Sequence, residues 1–188
     1  LSPQLQAVGT IAWNERDLAV LQARATGYVE KLHLRATLDP VAAGQALAEI
    51  YVPEWIAAQE EFLALRRMQG ADLAPLVDGA RQRMRQVGMS PVQIERVESS
   101  GSVQPRFTLF SPIDGVVTEL LLREGMTVMA GETLFRINGL SNVWVNAAVP
   151  ESQAALLRPG APASARSLAL PGTELRGNVQ AILPDVDP

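Results

Sequence analysis

The sequence predicts a mainly β protein with an inserted α-helical hairpin: a two-layer β-sandwich plus a partial β-barrel, each assembled from discontinuous segments. Three observations predict it. A glycine-punctuated pattern of short apolar runs occurs twice, at 25–50 and at 111–137. The residues between the two copies carry helical spacing instead. Outside the copies lie further short strand-like runs bounded by turn residues.

The second copy is the clearer one. It reads Ser111-Pro112-Ile113-Asp114-Gly115-Val116-Val117, continues through Gly125-Met126-Thr127-Val128-Met129-Ala130-Gly131, and ends on Leu134-Phe135-Arg136-Ile137. With one extra residue allowed near Pro40, Gly27 aligns with Gly115, Leu32 with Leu120, Leu34 with Leu122 and Arg35 with Arg123. Val41, Gly44, Leu47 and Ile50 then align with Val128, Gly131, Leu134 and Ile137. A repeat of this kind fixes the architecture before local structure is considered. Gly115, and Gly27 as its counterpart, allow a tight bend before a strand. Gly125, Gly131 and the matching Gly44 suit turns where the backbone takes positive φ. A single half has one apolar face and too little area to bury it, so the halves must pack on each other.

The interrupting segment begins near Pro53, a residue suited to a first helical turn. Trp55, Ala58, Phe62, Leu65 and Met68 recur at three- and four-residue steps along one helix face. Gln69-Gly70-Ala71 ends this helix, and Asp72 is the expected N-cap of the next. Leu73, Leu76, Val77, Ala80, Met84 and Val87 form the facing stripe of a second helix, so the two should pack antiparallel. Gly88 fits a helix C-terminus. Ser90-Pro91-Val92-Gln93 has capping-box spacing and predicts a short third helix through about Val97, followed by a polar return. Arg106 to Phe110 is a strand feeding the second copy.

Before the first copy, Val8 to Trp13 and Leu18 to Leu21 are apolar runs around the polar turn Asn14–Asp17; Trp13 is expected in a core or at a barrel end. After the second copy, Val143 to Val149 is a strand, Glu151 to Leu157 a short helix, and 161–167 and 175–183 further strands. Together these make most of a small barrel, left incomplete at the C-terminus.

Composition narrows the function. The 188 residues include no cysteine, one histidine and a net charge of −4. A disulfide framework and thiolate chemistry are excluded, and nucleic acid would call for a basic face. No run approaches the roughly twenty apolar residues of a membrane span. The start at Leu1, with no signal-like segment, predicts a processed or truncated piece. There is no glycine-rich phosphate loop and no HExxH-like constellation, so neither catalysis nor a cofactor is expected. Asp185 and Asp187, bracketed by prolines, read as a turn.

The paired half-motifs resemble the lipoyl/biotinyl domain, a flattened sandwich of two similar halves. In that family a short hairpin joins the halves and presents a modified lysine. Here more than fifty helical residues occupy that place, and such a split domain resembles the membrane fusion proteins, or periplasmic adaptors, of bacterial efflux pumps. The stretches Tyr51 to Leu63, Arg81 to Ser90 and Arg106 to Leu109, with Val143-Trp144-Val145, look closest to adaptors of heavy-metal efflux systems of the resistance-nodulation-division (RND) type, such as copper/silver adaptors. The implied organisation is a barrel from 1–22 and 140–188, a lipoyl-like domain (barrel-sandwich hybrid) from 23–50 and 106–139, a helical hairpin over 51–99 and a return linker over 100–105.

The resemblance implies a periplasmic protein associated with the inner membrane. It would self-associate, as a hexamer in the pump, and link an RND inner-membrane transporter to an outer-membrane channel protein. The hairpin tip, Arg67, Met68, Gln69, Gly70 and Ala71, would face the channel. Transported metal ions are a further implied partner. The methionine segment of copper/silver adaptors lies upstream of anything present here, and the Arg-Leu-Ser tip motif of drug adaptors is absent. Met126 and Met129, with thioethers suited to soft cations, and His33 are the metal candidates; core or turn filling is the commoner use of methionine. Two rivals stand beside this reading. One is an adaptor of a drug or type I secretion exporter. The other is a lipoyl or biotinyl carrier, which the single lysine, Lys31, argues against, because it lies inside the first half rather than at a tip.

Overall fold

The computed structural model describes residues 5–68, 73–167 and 171–183. They divide into two compact units: Trp13–Val143, and the described parts of Leu1–Ala12 with Trp144–Pro188. The expected Asp72 cap and the Asp185/Asp187 turn lie outside the described residues.

Chain order runs β1 (Gly9–Trp13), a 3-10 turn (Glu15–Asp17), β2 (Leu18–Gln22), β3 (Gly27–Leu32), β4 (Pro40–Val41) and β5 (Ala46–Tyr51). Three helices follow: α1 (Glu54–Arg67), α2 (Ala74–Gln86) and α3 (Pro91–Ser100). Then come β6 (Arg106–Phe110), β7 (Gly115–Leu120), β8 (Thr127–Val128), β9 (Thr133–Asn138) and β10 (Val143–Ala147). The last elements are α4 (Glu151–Ala154), β11 (Pro162–Arg166) and β12 (Glu174–Asn178).

The larger unit holds two four-stranded sheets, ordered β2-β9-β7-β4 and β6-β5-β3-β8. The repeat is visible in this order, because β3, β4 and β5 are matched by β7, β8 and β9. The short strands are exchanged: β4 of the first half pairs with β7, and β8 of the second half pairs with β3. The exchange is near-symmetric in its hydrogen bonds. Val29 N donates to Met126 O (2.9 Å) and Gly125 N to Val29 O (2.8 Å), while Val117 N donates to Asp39 O (3.1 Å) and Leu38 N to Val117 O (2.7 Å). Both long strands carry a register shift at the same place, between Val29 and Lys31 and between Val117 and Glu119.

The aligned apolar residues are the core. Leu47, Ile50, Val117, Val128, Leu134, Phe135 and Ile137 are almost completely buried, joined by Leu34, Val41 and Leu122. Each stabilises the fold by about 1.5–3 kcal/mol relative to an exposed side chain. The extra residue of the first half leaves a mark. Leu38 adopts φ 70° at the place where the second half has Gly125 at φ 81°.

Some expectations need correction. Residues 18–22, assigned from sequence to the barrel, form β2 and pair with β9 in the sandwich, Leu18 opposite Asn138 and Leu21 opposite Phe135. Leu21 points into the core at 8% exposure, so the apolar run serves the sandwich. Trp13, expected in a core or at a barrel end, closes β1 at 43% exposure and so is not a core residue. The polar return begins later than expected: α3 continues through Ser100 and ends on Gly101 in the left-handed region, φ 63°.

In the smaller unit, β1 and β10 form one two-stranded sheet and β11 and β12 another. The latter pairs Pro162 with Asn178 and Arg166 with Glu174.

Candidate functional site

The candidate site is the helical insertion and the way it is mounted. Helix α1 carries Glu54 in its first turn and Arg66 and Arg67 in its last, the charge order the helix dipole favours. It buries Trp55, Ala58, Gln59, Phe62 and Leu63. Helix α2 answers with Ala80 and Met84, while Leu76, expected in the stripe, is 55% exposed. Helix α3 starts with the expected capping box, Gln93 N to Ser90 Oγ at 3.3 Å and Ser90 N to Gln93 Oε1 at 2.7 Å. It buries Ile94 and Val97. The hairpin is therefore a small three-helix bundle.

Three residues, Trp55, Gln59 and Gly88, fix the base of this bundle. Trp55, 1% exposed, packs its ring 5.1 Å from that of Phe107 on β6. Its Nε1 donates to Val87 O at 2.8 Å, satisfying a carbonyl that the end of α2 leaves without a helical partner. Gln59, fully buried, uses both ends of its amide on one residue: Nε2 donates to Gln104 O (3.0 Å) and Oε1 accepts from Gln104 N (2.5 Å). At the foot of α2, Gly88 (φ 90°) lies so close to the Arg24 carbonyl that a Cβ there would collide with it.

Toward the other end, the guanidinium groups of Arg66 and Arg81 each lie over the Phe62 ring, 5.6 and 5.7 Å from its centroid. Arg81 donates to Glu98 Oε1 (2.6 Å) and Asp78 Oδ1 (2.7 Å), and the Glu98 carboxylate raises the Arg81 pKa above its ordinary value. Arg66 donates to Glu98 O (2.7 Å) and Arg67 to Gly101 O (3.4 Å). Of the expected tip residues, Arg67 thus reaches back to the end of α3 and Met68 is 59% exposed. Gln69, Gly70 and Ala71 lie outside the described residues.

The five repeat glycines serve two purposes. Gly44, Gly125 and Gly131 have positive φ, as their turns require. Gly27 and Gly115 instead admit a crossing backbone: a Cβ at Gly27 would sit 2.5 Å from Tyr51 O, and one at Gly115 would run into Asn138 O. The metal candidates are not brought together by any shared contact. His33 Nε2 lies 3.0 Å from Glu49 Oε1. Met126 and Met129 flank the two-residue strand β8, each in turn backbone, and both are exposed. Among the described residues, no group of three or more His, Cys, Asp or Glu could hold a metal ion.

Sequence reasoning missed Gln59, Gln104, Arg81 and Glu98. The one available signal was Gln59 itself, a polar residue between Trp55 and Phe62 on the apolar face.

A barrel-sandwich hybrid split by a helical bundle is the class this geometry defines. The family model described as "CusB, barrel-sandwich hybrid domain" matches residues 18–138, and "CusB-like, beta-barrel domain" matches residues 142–188. The chain belongs to the CusB barrel-sandwich hybrid family. It is 36% identical over 177 residues to the Cation efflux system protein CusB of Escherichia coli (strain K12), covering 94% of this chain and 43% of that protein. To the putative membrane fusion protein SilB of Salmonella typhimurium it is 37% identical, covering 94% of this chain and 41% of that protein. The chain thus spans less than half the length of these relatives. The crystal structure of ZneB from Cupriavidus metallidurans shares the fold, with a TM-score of 0.54 at 18% identity over 92% of this chain and 81% of that one.

Proposed function

We propose that this chain is the sandwich, helical and partial barrel portion of a periplasmic adaptor in a tripartite RND heavy-metal cation efflux pump. It links an inner-membrane transporter to an outer-membrane channel protein and self-associates, as a hexamer in the assembled pump. Its work is assembly, sealing and conformational coupling, with no covalent chemistry. The helical bundle, through a distal end that includes Arg67 to Ala71, meets the channel. Residues 23–50 and 106–139, with β2 added, form the lipoyl-like domain, and 140–188 contribute to the barrel. The observation that supports this reading best is the strand-exchanged sandwich interrupted by a helical bundle, in a chain 36% identical to a cation efflux protein across 94% of its length.

The test is genetic. Deleting the full gene in its host should raise sensitivity to copper and silver salts, and restoring it without residues 53–105 should not rescue growth although the protein accumulates. Unchanged metal sensitivity, or a selective loss of drug tolerance, would overturn the metal assignment.

A further inference from the structure

Each sandwich sheet continues at one edge as a two-stranded ribbon, and the internal repeat makes the two ribbons equivalent. One is β5 with β6 and the other is β9 with β2. The ribbons extend by matching bonds, Val52 N to Pro105 O and Gly139 N to Asp17 O, both 2.8 Å. Beyond that bond they differ. In the β5–β6 ribbon Phe107 stands where β2 has Ala19, and Trp55 packs on it. Gln59 then holds Gln104 by both its N–H and its C=O, as a neighbouring strand would. In the β9–β2 ribbon the next contact is a side-chain bond, Ser141 Oγ to Asp17 Oδ2 at 3.1 Å, at an exposed site.

A fully buried amide that is spent on one backbone residue is a register device. Strand β6 is an edge strand, held by β5 alone, and a one-residue slip would turn Phe107 away from Trp55. Gln59 makes that slip costly, because a buried amide without partners is strongly disfavoured.

We infer that Trp55 and Gln59 mount the helical bundle rigidly on the β6-β5-β3-β8 sheet, so that any displacement of the bundle carries that sheet with it. Gln59 is a positioning residue: it acts through the 101–105 strap and the register of β6. The use of this coupling in a pump rests on the adaptor reading, whereas the coupling itself does not. Loading the distal end would then move the sandwich as one piece with the helices, instead of bending the chain between them.

The absence of cysteine makes the test direct. Spin labels at Gln82→Cys on α2 and Gln22→Cys on β2, both exposed, report the distance between bundle and sandwich by pulsed electron resonance. The parent pair should give one narrow distance population. Gln59→Met, which fills the space without the amide, and Gln104→Pro, which removes the N–H while leaving α1 untouched, should each broaden it about twofold or split it, with helical circular dichroism retained. A broad distribution in the parent pair overturns the inference, as do two variants as narrow as the parent. Should Gln59→Met fail to fold, the parent width and Gln104→Pro still decide. No channel or transporter is present in the measurement, so a protein that is not an adaptor would pass or fail it independently.

Discussion

Replacing Trp55 by phenylalanine isolates the mount at the foot of the bundle. The ring remains aromatic and apolar, but two things are lost. The first is the Nε1 bond to Val87 O, and a part-buried carbonyl left without its donor costs about 1–3 kcal/mol. The second is volume in a site where Trp55 is 1% exposed, and deletion of a few buried atoms costs about 1 kcal/mol. Together Trp55→Phe should destabilise the larger unit by about 2–4 kcal/mol, or lower its melting temperature by roughly 4–16 °C at about 2–4 °C per kcal/mol. Trp13→Phe, at a 43% exposed position, is the matched control and should change stability by under about 0.5 kcal/mol. Urea unfolding followed by far-ultraviolet circular dichroism measures both. Equal effects of the two substitutions would refute the claim that Trp55 carries the mount.

Asp39 accepts from Arg35 N (2.9 Å) and Ala36 N (3.0 Å), and these backbone bonds hold its pKa below the ordinary carboxylate value. A depressed folded pKa means the stabilisation is present above the unfolded value and is lost as pH falls through the folded one. The stability advantage of the parent over Asp39→Ala, read from urea midpoints, should therefore be constant near neutrality and vanish on acidification below the usual carboxylate range. Gly125→Ala should destabilise by about 1 kcal/mol through backbone strain alone, since φ is 81° and nothing lies within 4 Å of the added Cβ; an unchanged urea midpoint would contradict this. Titrating the chain with Cu(I) in a calorimeter should give no stoichiometric binding that Met126→Leu or Met129→Leu removes, because a soft-metal site needs several convergent ligands and both thioethers lie at exposed turn positions.

The repeat was legible because its signals are chemical necessities. Gly44 and Gly131 need positive φ, and the apolar positions at Leu47 and Leu134 have nowhere else to go. The capping box at Ser90 and Gln93 was equally readable, since it is local. The exchange of β4 and β8 was not. Pro40–Val41 and Thr127–Val128 are two residues each, too short for any periodicity, and their partners belong to the other half. The run Leu18–Leu21 is as suitable for a barrel as for a sandwich, and only its pairing with β9 decides. Its counterpart β6 shares little with it beyond Leu109 at the place of Leu21, so the repeat gave no help there. At the site, the stripes of α1 and α2 correctly named Trp55, Phe62, Ala80 and Met84. They overreached at Met68 and Leu76, because apolar spacing says where a side chain could be buried and not how far the partner helix extends. Gln59 escaped because its value lies in the single backbone residue it faces, forty-five positions away.

The strand exchange also has a consequence for how the molecule is made. A ribosome that has finished β3 has produced a strand whose edge partner, β8, is still unwritten. The amide of Val29 must wait for Met126, which at ~5–20 residues per second is on the order of several seconds of synthesis. The whole helical insertion is synthesised in that interval. Neither half can be a stable intermediate by itself, since each lacks the two-residue strand that the other supplies. Completion of the sandwich is therefore a single late event, triggered when β7 to β9 arrive. A chain interrupted before that point would carry an unpaired apolar strand edge, the kind of species that cells hand to chaperones and proteases.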